Sequence, residues 1–111
     1  MILVIGGFGA GKKTWVKENL GYKESDFSSE IENKCPVVFD LQDTKINDEN
    51  YLIEMLLKKE VVICNEIGCG IVPVLPEERE KREQVGRLLI SLASKAESVY
   101  RVYCGIGQKI K

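Results

Sequence analysis

The sequence predicts an α/β fold in which helices cover both faces of a small, mostly parallel sheet. Short apolar runs alternate along the chain with segments of helical periodicity, which is typical of parallel strands joined by helices. Hydrophobic residues make up 44% of the 111 residues, so the chain can bury one core. We therefore expect a single domain over residues 1–111.

Strands are expected at residues 1–5, 36–41, 61–65 and 99–104. Helices are expected at residues 12–20, at 48–59 and from Pro76 onward. Gly21 ends the first helix and Pro36 suits the edge of the second strand. Pro76 fits a first helical turn, and Glu77 and Glu78 favour that end of the helix electrostatically.

Apolar residues at helical spacing identify the buried helix faces. The second helix carries Leu52, Met55 and Leu56, and the last one carries Val85, Leu88, Leu89, Leu92, Ala93 and Ala96. Phe27 and Ile31 have the same spacing within the polar stretch 22–34, which suggests a further short helix there.

A glycine-rich turn separates the first strand from the first helix. The pattern G-x-x-x-x-G-K runs from Gly6 through Gly11 to Lys12, as in loops that hold phosphate with backbone N–H groups, a helix N-terminus and a lysine. The sequence therefore predicts a P-loop-type three-layer fold that binds ATP or GTP. The candidate nucleotide-binding residues are Gly6, Gly7, Gly9, Ala10, Gly11, Lys12, Lys13 and Thr14. The alternative is a strand-to-helix turn without a ligand.

The loop departs from the pattern at its last position. Lys13 replaces the Ser or Thr whose hydroxyl binds Mg²⁺, and Thr14 comes one residue late. Asp40 ends the apolar run of the second strand, at the expected binding edge, and is the candidate metal ligand, but Lys13 argues against a metal. Either the Lys13 ammonium replaces the cation and pairs with Asp40, or it points to solvent.

Other candidate site residues follow the third strand. Glu66 could accept a proton from a substrate hydroxyl or orient a metal-bound water. Arg79 and Arg82 could clamp phosphate, although charged residues of this spacing usually form a solvated helix face.

Composition excludes several classes of function. A net charge of −1 argues against nucleic acid or an anionic membrane as a partner, and no apolar stretch reaches the roughly 18 residues of a membrane span. The chain has no histidine and no CxxC pair, so zinc and a disulfide framework are poorly supported. Cys35, Cys64 and Cys104 are expected to be reduced core residues of a cytoplasmic protein, with Cys69 in a loop.

Residues 65–73, N-E-I-G-C-G-I-V-P, are followed by Arg79, Arg82, Gly86 and Arg87. This pattern resembles the bifunctional adenosylcobinamide kinase/adenosylcobinamide-phosphate guanylyltransferase family of cobalamin biosynthesis. Residues 2–7 and 104–111 resemble the same family, and Asp40 matches the acid that closes its second nucleotide motif. The middle of the chain matches poorly.

The resemblance implies a homotrimer that uses ATP or GTP to phosphorylate the aminopropanol hydroxyl of cobinamide. It also implies GMP transfer through a guanylyl-histidine, but this chain lacks histidine and is short between the first helix and Asp40. The sequence also departs from the family pattern at Lys13, at Lys81 and at the pair Leu89-Ile90. Guanylyl transfer is therefore expected to be lost.

Three interpretations follow. The first is a minimal cobinamide-kinase-like phosphotransferase in which Lys12, Asp40 and Glu66 are catalytic. The second is a degenerate relative that binds a nucleotide or corrinoid in a regulatory or assembly role, and the third is a structural domain with a vestigial loop. We expect binding of a nucleotide or corrinoid ahead of phosphoryl transfer, and phosphoryl transfer ahead of a purely structural role.

Overall fold

The computed structural model describes residues 1–66 and 75–111. Within these ranges, six strands form one sheet in the order β2-β3-β4-β1-β5-β6. The strands are β1 Ile2–Gly6, β2 Phe27–Ser28, β3 Val37–Val38, β4 Val61–Asn65, β5 Ser98–Tyr103 and β6 Ile106–Lys109. The helices are α1 Lys12–Leu20, α2 Glu49–Leu57 and α3 Pro76–Lys95, with short 3₁₀ turns at Glu24–Asp26 and Leu41–Asp43.

β1 lies at the centre of the sheet, parallel to both of its neighbours. Gly6 is in register with Asn65 of β4 and with Val102 of β5. β2 and β3 extend the parallel arrangement beyond β4, while β6 runs antiparallel to β5. The carboxyl ends of the central strands therefore meet at one edge, where ligands bind in open parallel sheets.

The alternation of side chains along the strands divides the core into two layers. Leu3, Val62 and Cys64 pack with α2 and α3 on one face of the sheet. Val4 and Ile63 lie on the other face, against α1. These two layers confirm the predicted three-layer α/β fold.

Two of these strands, β2 and β6, were not predicted. The prediction of a short helix around Phe27 and Ile31 is wrong. That segment contains a 3₁₀ turn and the two-residue strand β2, which pairs with Val37–Val38. β6 was missed because its residues are mostly exposed and polar, so no buried face marks it in the sequence. The second predicted strand is shorter than expected, because Asp40 adopts a φ of 54° and opens the Leu41–Asp43 turn.

The cysteine prediction holds for one of the three described thiols. Cys64 is buried, Cys35 is half-buried, and Cys104 is exposed in the turn between β5 and β6. Cys104 is therefore not a core residue, because its φ of 51° places it in a hairpin turn after the last strand residue. All three are free thiols, and Cys69 lies outside the described residues.

Within the two described ranges, no helix combines the length and the apolar character needed to cross a bilayer.

Gly107 and Gly86 form a matched pair that tests the packing of β6 on α1. A Cβ at Gly107 would lie 2.1 Å from the Trp15 ring, whereas a Cβ at Gly86 would meet nothing within 4 Å. We expect Gly107→Ala to lower the free energy of unfolding by about 1–3 kcal/mol. Gly86→Ala in the interior of α3 should raise it by about 0.5–1 kcal/mol. Urea unfolding followed by circular dichroism measures both, and equal effects would contradict the packing.

Candidate functional site

The segment between β1 and α1 curls into a loop, and glycine makes this possible. Gly9 and Gly11 have φ values of 73° and 86°, a region that side chains disfavour. The Ala10 N–H donates to the Gly7 carbonyl at 3.2 Å. A Cβ at Gly6 would lie 2.5 Å from the Val102 carbonyl oxygen, so the strand end needs glycine as well.

The hairpin turn between β5 and β6 holds the loop in place. The Gly105 N–H donates to the Ala10 carbonyl at 2.8 Å, and a Cβ at Gly11 would lie 3.4 Å from the Gly105 Cα. Gly105 was not among the predicted site residues. The only signal was its place in the C-terminal segment that resembles the kinase family.

Lys12 lies on the first turn of α1, and its ammonium points back into the loop. Its Nζ donates to the Gly7 carbonyl at 2.8 Å. Burial lowers the pKa of Lys12 from its ordinary value, and the Asp40 carboxylate opposes that shift. The ammonium is thus incompletely solvated in the free protein, which favours an incoming anion.

A cleft of about 450 Å³ opens beside the loop. The residues that line it are Phe8, Gly9, Ala10, Gly11, Lys12, Lys13, Thr14, Asp40, Gln42, Asp43, Ile63 and Asn65. Six of the eight candidate nucleotide-binding residues are in this set. Of the other two, Gly6 ends β1 and Gly7 follows it. The cleft also brings Asp40 to the loop, as its place after the second strand predicts.

The Lys13 ammonium does not pair with Asp40 in the structure. It lies 3.5 Å from the centroid of the Phe39 ring, a distance typical of a cation–π contact. Phe39 directly precedes Asp40, so Lys13 remains at the cleft wall. The sequence predicted either an ion pair with Asp40 or a side chain that points to solvent. The contact with the Phe39 ring is neither of these.

Gln42, which was not among the predicted site residues, connects Asp40 to the end of β4. The Gln42 Nε2 donates to Asp40 Oδ1 at 3.3 Å. Its Oε1 accepts the Asn65 N–H at 2.9 Å. An amide two residues after Asp40 was the only signal in the sequence, and it gave no indication of these partners.

A second cavity of about 760 Å³ lies on the other side of Asp40. Its wall includes Asp40 and Asp43, which also line the loop cleft. The remaining lining residues are Ser29, Glu30, Ile31, Glu32, Thr44, Lys45, Asn47, Asp48, Tyr51, Leu52 and Met55. The cavity thus combines apolar side chains with hydrogen-bond acceptors and shares the Asp40 and Asp43 wall with the loop cleft.

The other predicted site residues are not among those that line these two cavities. Glu66 Oε2 accepts from Arg101 Nε at 3.1 Å, and Glu66 lines neither cavity. Arg79 is exposed and Arg82 is half-buried on the first turns of α3, and neither belongs to the two linings. Residues 67–74, which hold most of the N-E-I-G-C-G-I-V-P segment, lie outside the described residues.

The buried thiol beneath the cleft gives a test of the site's environment. Burial raises the pKa of Cys64 to about 12, so the reactive thiolate is suppressed. We expect iodoacetamide at pH 8 to modify exposed Cys104 quickly and Cys64 only after unfolding in urea. Peptide mass spectrometry separates the two sites, and equal labelling of both in the native protein would contradict this geometry.

Comparison with known proteins supports the resemblance seen in the sequence. Residues 14–110 match the family described as cobinamide kinase / cobinamide phosphate guanyltransferase. Two relatives named "Bifunctional adenosylcobalamin biosynthesis protein CobU", from Escherichia coli strain K12 and Salmonella typhimurium strain LT2, are each 45% identical over 53 residues. The match covers 48% of this chain and 29% of each relative. Since the family match extends over most of the chain, the protein belongs to the cobinamide kinase / cobinamide phosphate guanyltransferase family.

Proposed function

We propose that the chain binds ATP or GTP in the loop cleft and transfers the γ-phosphoryl group to a hydroxyl of a cobinamide-type corrinoid. The observation that carries this proposal is the conformation of the loop. Two left-handed glycines, the N-terminus of α1 and the Lys12 ammonium converge on one 450 Å³ cleft. This arrangement is suited to an anion with several oxygens.

Lys12 would bind the β- and γ-phosphates in this site. Its ammonium is held by one carbonyl in the free protein, and a phosphate oxygen would be a stronger, charge-assisted partner. Thr14 and the N–H groups of Gly9, Gly11 and Lys12 would complete the cradle, because the Ala10 N–H already donates to the Gly7 carbonyl. The anion would also offset the desolvation of the Lys12 ammonium, which the Asp40 carboxylate counteracts only in part.

The second cavity would hold the corrinoid whose hydroxyl accepts the phosphoryl group. The Asp40 wall shared by the two cavities would put an acceptor hydroxyl next to the outer phosphate. Asp40 would then accept the proton of the corrinoid hydroxyl while its oxygen bonds to the γ-phosphorus. The bond between the γ-phosphorus and the β–γ bridging oxygen breaks, and the nucleoside diphosphate leaves. We assign this role to Asp40 rather than Glu66, because Glu66 is bound to Arg101 outside the cavities.

Guanylyl transfer through a histidine of this chain is proposed to be lost. The resemblance implies a guanylyl-histidine intermediate, and the 111 residues contain no histidine. The roles of Arg79 and Arg82 as phosphate clamps, and self-association as a trimer, remain predictions that rest on the sequence and the resemblance.

A second candidate function is nucleotide or corrinoid binding without turnover. Lys13 favours it, because a hydroxyl that binds the catalytic metal in related loops is missing from its usual place. In that case the protein would act through its bound state, as a regulatory or assembly partner. Phosphoryl transfer to cobinamide separates the two functions.

Lys12→Met tests nucleotide binding. We expect the affinity for ATP or GTP to fall roughly 10- to 100-fold, since a hydrogen bond to a charged group contributes about 1.5–3 kcal/mol. The thermal midpoint should change little, because the variant loses one partly desolvated ammonium together with its hydrogen bond to the Gly7 carbonyl. Isothermal titration calorimetry measures the affinity. Undiminished affinity in a folded variant would contradict the assignment.

Asp40→Asn tests phosphoryl transfer. We expect the rate of cobinamide phosphorylation to fall by about 10²-fold or more, as for loss of a general base, while nucleotide affinity changes little. Asparagine tolerates the left-handed backbone at this position. Exposed Glu54 on α2 provides the control, Glu54→Gln. Wild-type protein that binds nucleotide but never transfers phosphate would support the second candidate function.

A further inference from the structure

The loop that we propose to bind nucleotide does not provide the usual metal ligand. In this pattern the hydroxyl after the lysine binds Mg²⁺, and here Lys13 occupies that position. We propose that the Lys13 ammonium, positioned by Phe39, takes the place of the divalent cation at the outer phosphates. The site would then prefer metal-free nucleoside triphosphate to its magnesium complex. This inference rests on the proposed function.

The contact with Phe39 positions the Lys13 ammonium without neutralising it. The ammonium lies 3.5 Å from the ring centroid, and the attraction comes from the quadrupole of an uncharged ring. Its N–H donors are not consumed by a carboxylate, so they remain able to bind phosphate oxygens. Phe39 is half-buried against the α1 layer, which fixes the ring at the cleft wall.

The residues present fit a magnesium ion poorly. Lys13 adds a second ammonium beside Lys12 to a cleft whose carboxylates are those of Asp40 and Asp43, so these four side chains already balance in charge without a divalent cation. Asp40 is bound to Gln42, and Thr14 is turned roughly 100° around the helix from the usual ligand position. Among residues 1–66 and 75–111, no group of three or more acidic, cysteine or histidine side chains could hold a metal ion.

A lysine outside the cleft offers a matched control for the change of charge. Lys17 lies one turn further along α1, where it pairs with Glu24, and it is not among the cleft residues. Lys17→Ser therefore removes the same charge from the same helix without altering the cleft. Lys13→Ser removes the cleft ammonium and restores the usual hydroxyl.

The experiment is calorimetric titration with ATP and with GTP, in EDTA and in excess Mg²⁺. We expect the wild type to bind metal-free triphosphate at least as tightly as the magnesium complex. Lys13→Ser should weaken metal-free binding by about tenfold, as for one charge-assisted contact, and should then bind the magnesium complex more tightly. Lys17→Ser should match the wild type in both conditions.

Phe39→Leu and Phe39→Tyr test the positioning role. Leucine keeps the apolar packing but removes the ring, so metal-free affinity should fall severalfold. Tyrosine keeps the ring face and should restore the affinity. Circular dichroism confirms that both variants fold, and wild-type affinity in Phe39→Leu would overturn the role of the ring.

Two results would overturn the inference as a whole. A wild-type affinity that rises tenfold or more with Mg²⁺ would show that the site uses the metal, while leaving the proposed nucleotide binding intact. Unchanged metal-free binding in Lys13→Ser would exclude the ammonium as the replacement. Absence of binding to either nucleotide in both conditions would instead overturn the proposed function, and this inference with it.

Discussion

The site depends on the placement of β1 between two parallel strands. In this register Gly6 lies beside Asn65 and Val102, and the Glu66 N–H donates to the Gly6 carbonyl at 2.8 Å. The central strands consequently end together, and everything that follows them meets at one edge. The loop, the Asp40 turn and the end of β4 reach the same cleft for this reason.

The hairpin of β5 and β6 supports the loop from outside the central strands. Its turn binds the loop through the Gly105 N–H and the Ala10 carbonyl. Gly107 gives the Trp15 ring room to lie on β6, and the ring centroids of Trp15 and Tyr100 are 4.9 Å apart. The first helix and the loop are thus fixed by the same hairpin, which preorganises the loop for the phosphate ligand that we propose.

The sequence was sufficient for the features that are encoded locally. The glycine spacing predicted the loop. The apolar runs predicted β1 and β4, which are largely buried, and β5, which buries Val99 and Val102. β6 and β2 depend on a neighbouring strand for their hydrogen bonds, so their own residues carry little signal. The position of the Lys13 ammonium depends on Phe39, 26 positions away in the chain, and no local pattern contains that contact.

The central claim is that the loop's backbone N–H groups bind the phosphates of a nucleotide. Proton–nitrogen correlation spectra recorded during titration with ATP or GTP test it directly. The account predicts saturable shifts concentrated at the amides of Gly9, Ala10, Gly11, Lys12 and the hairpin residue Gly105. Shifts confined to other regions, or no shifts at saturating nucleotide, would contradict it.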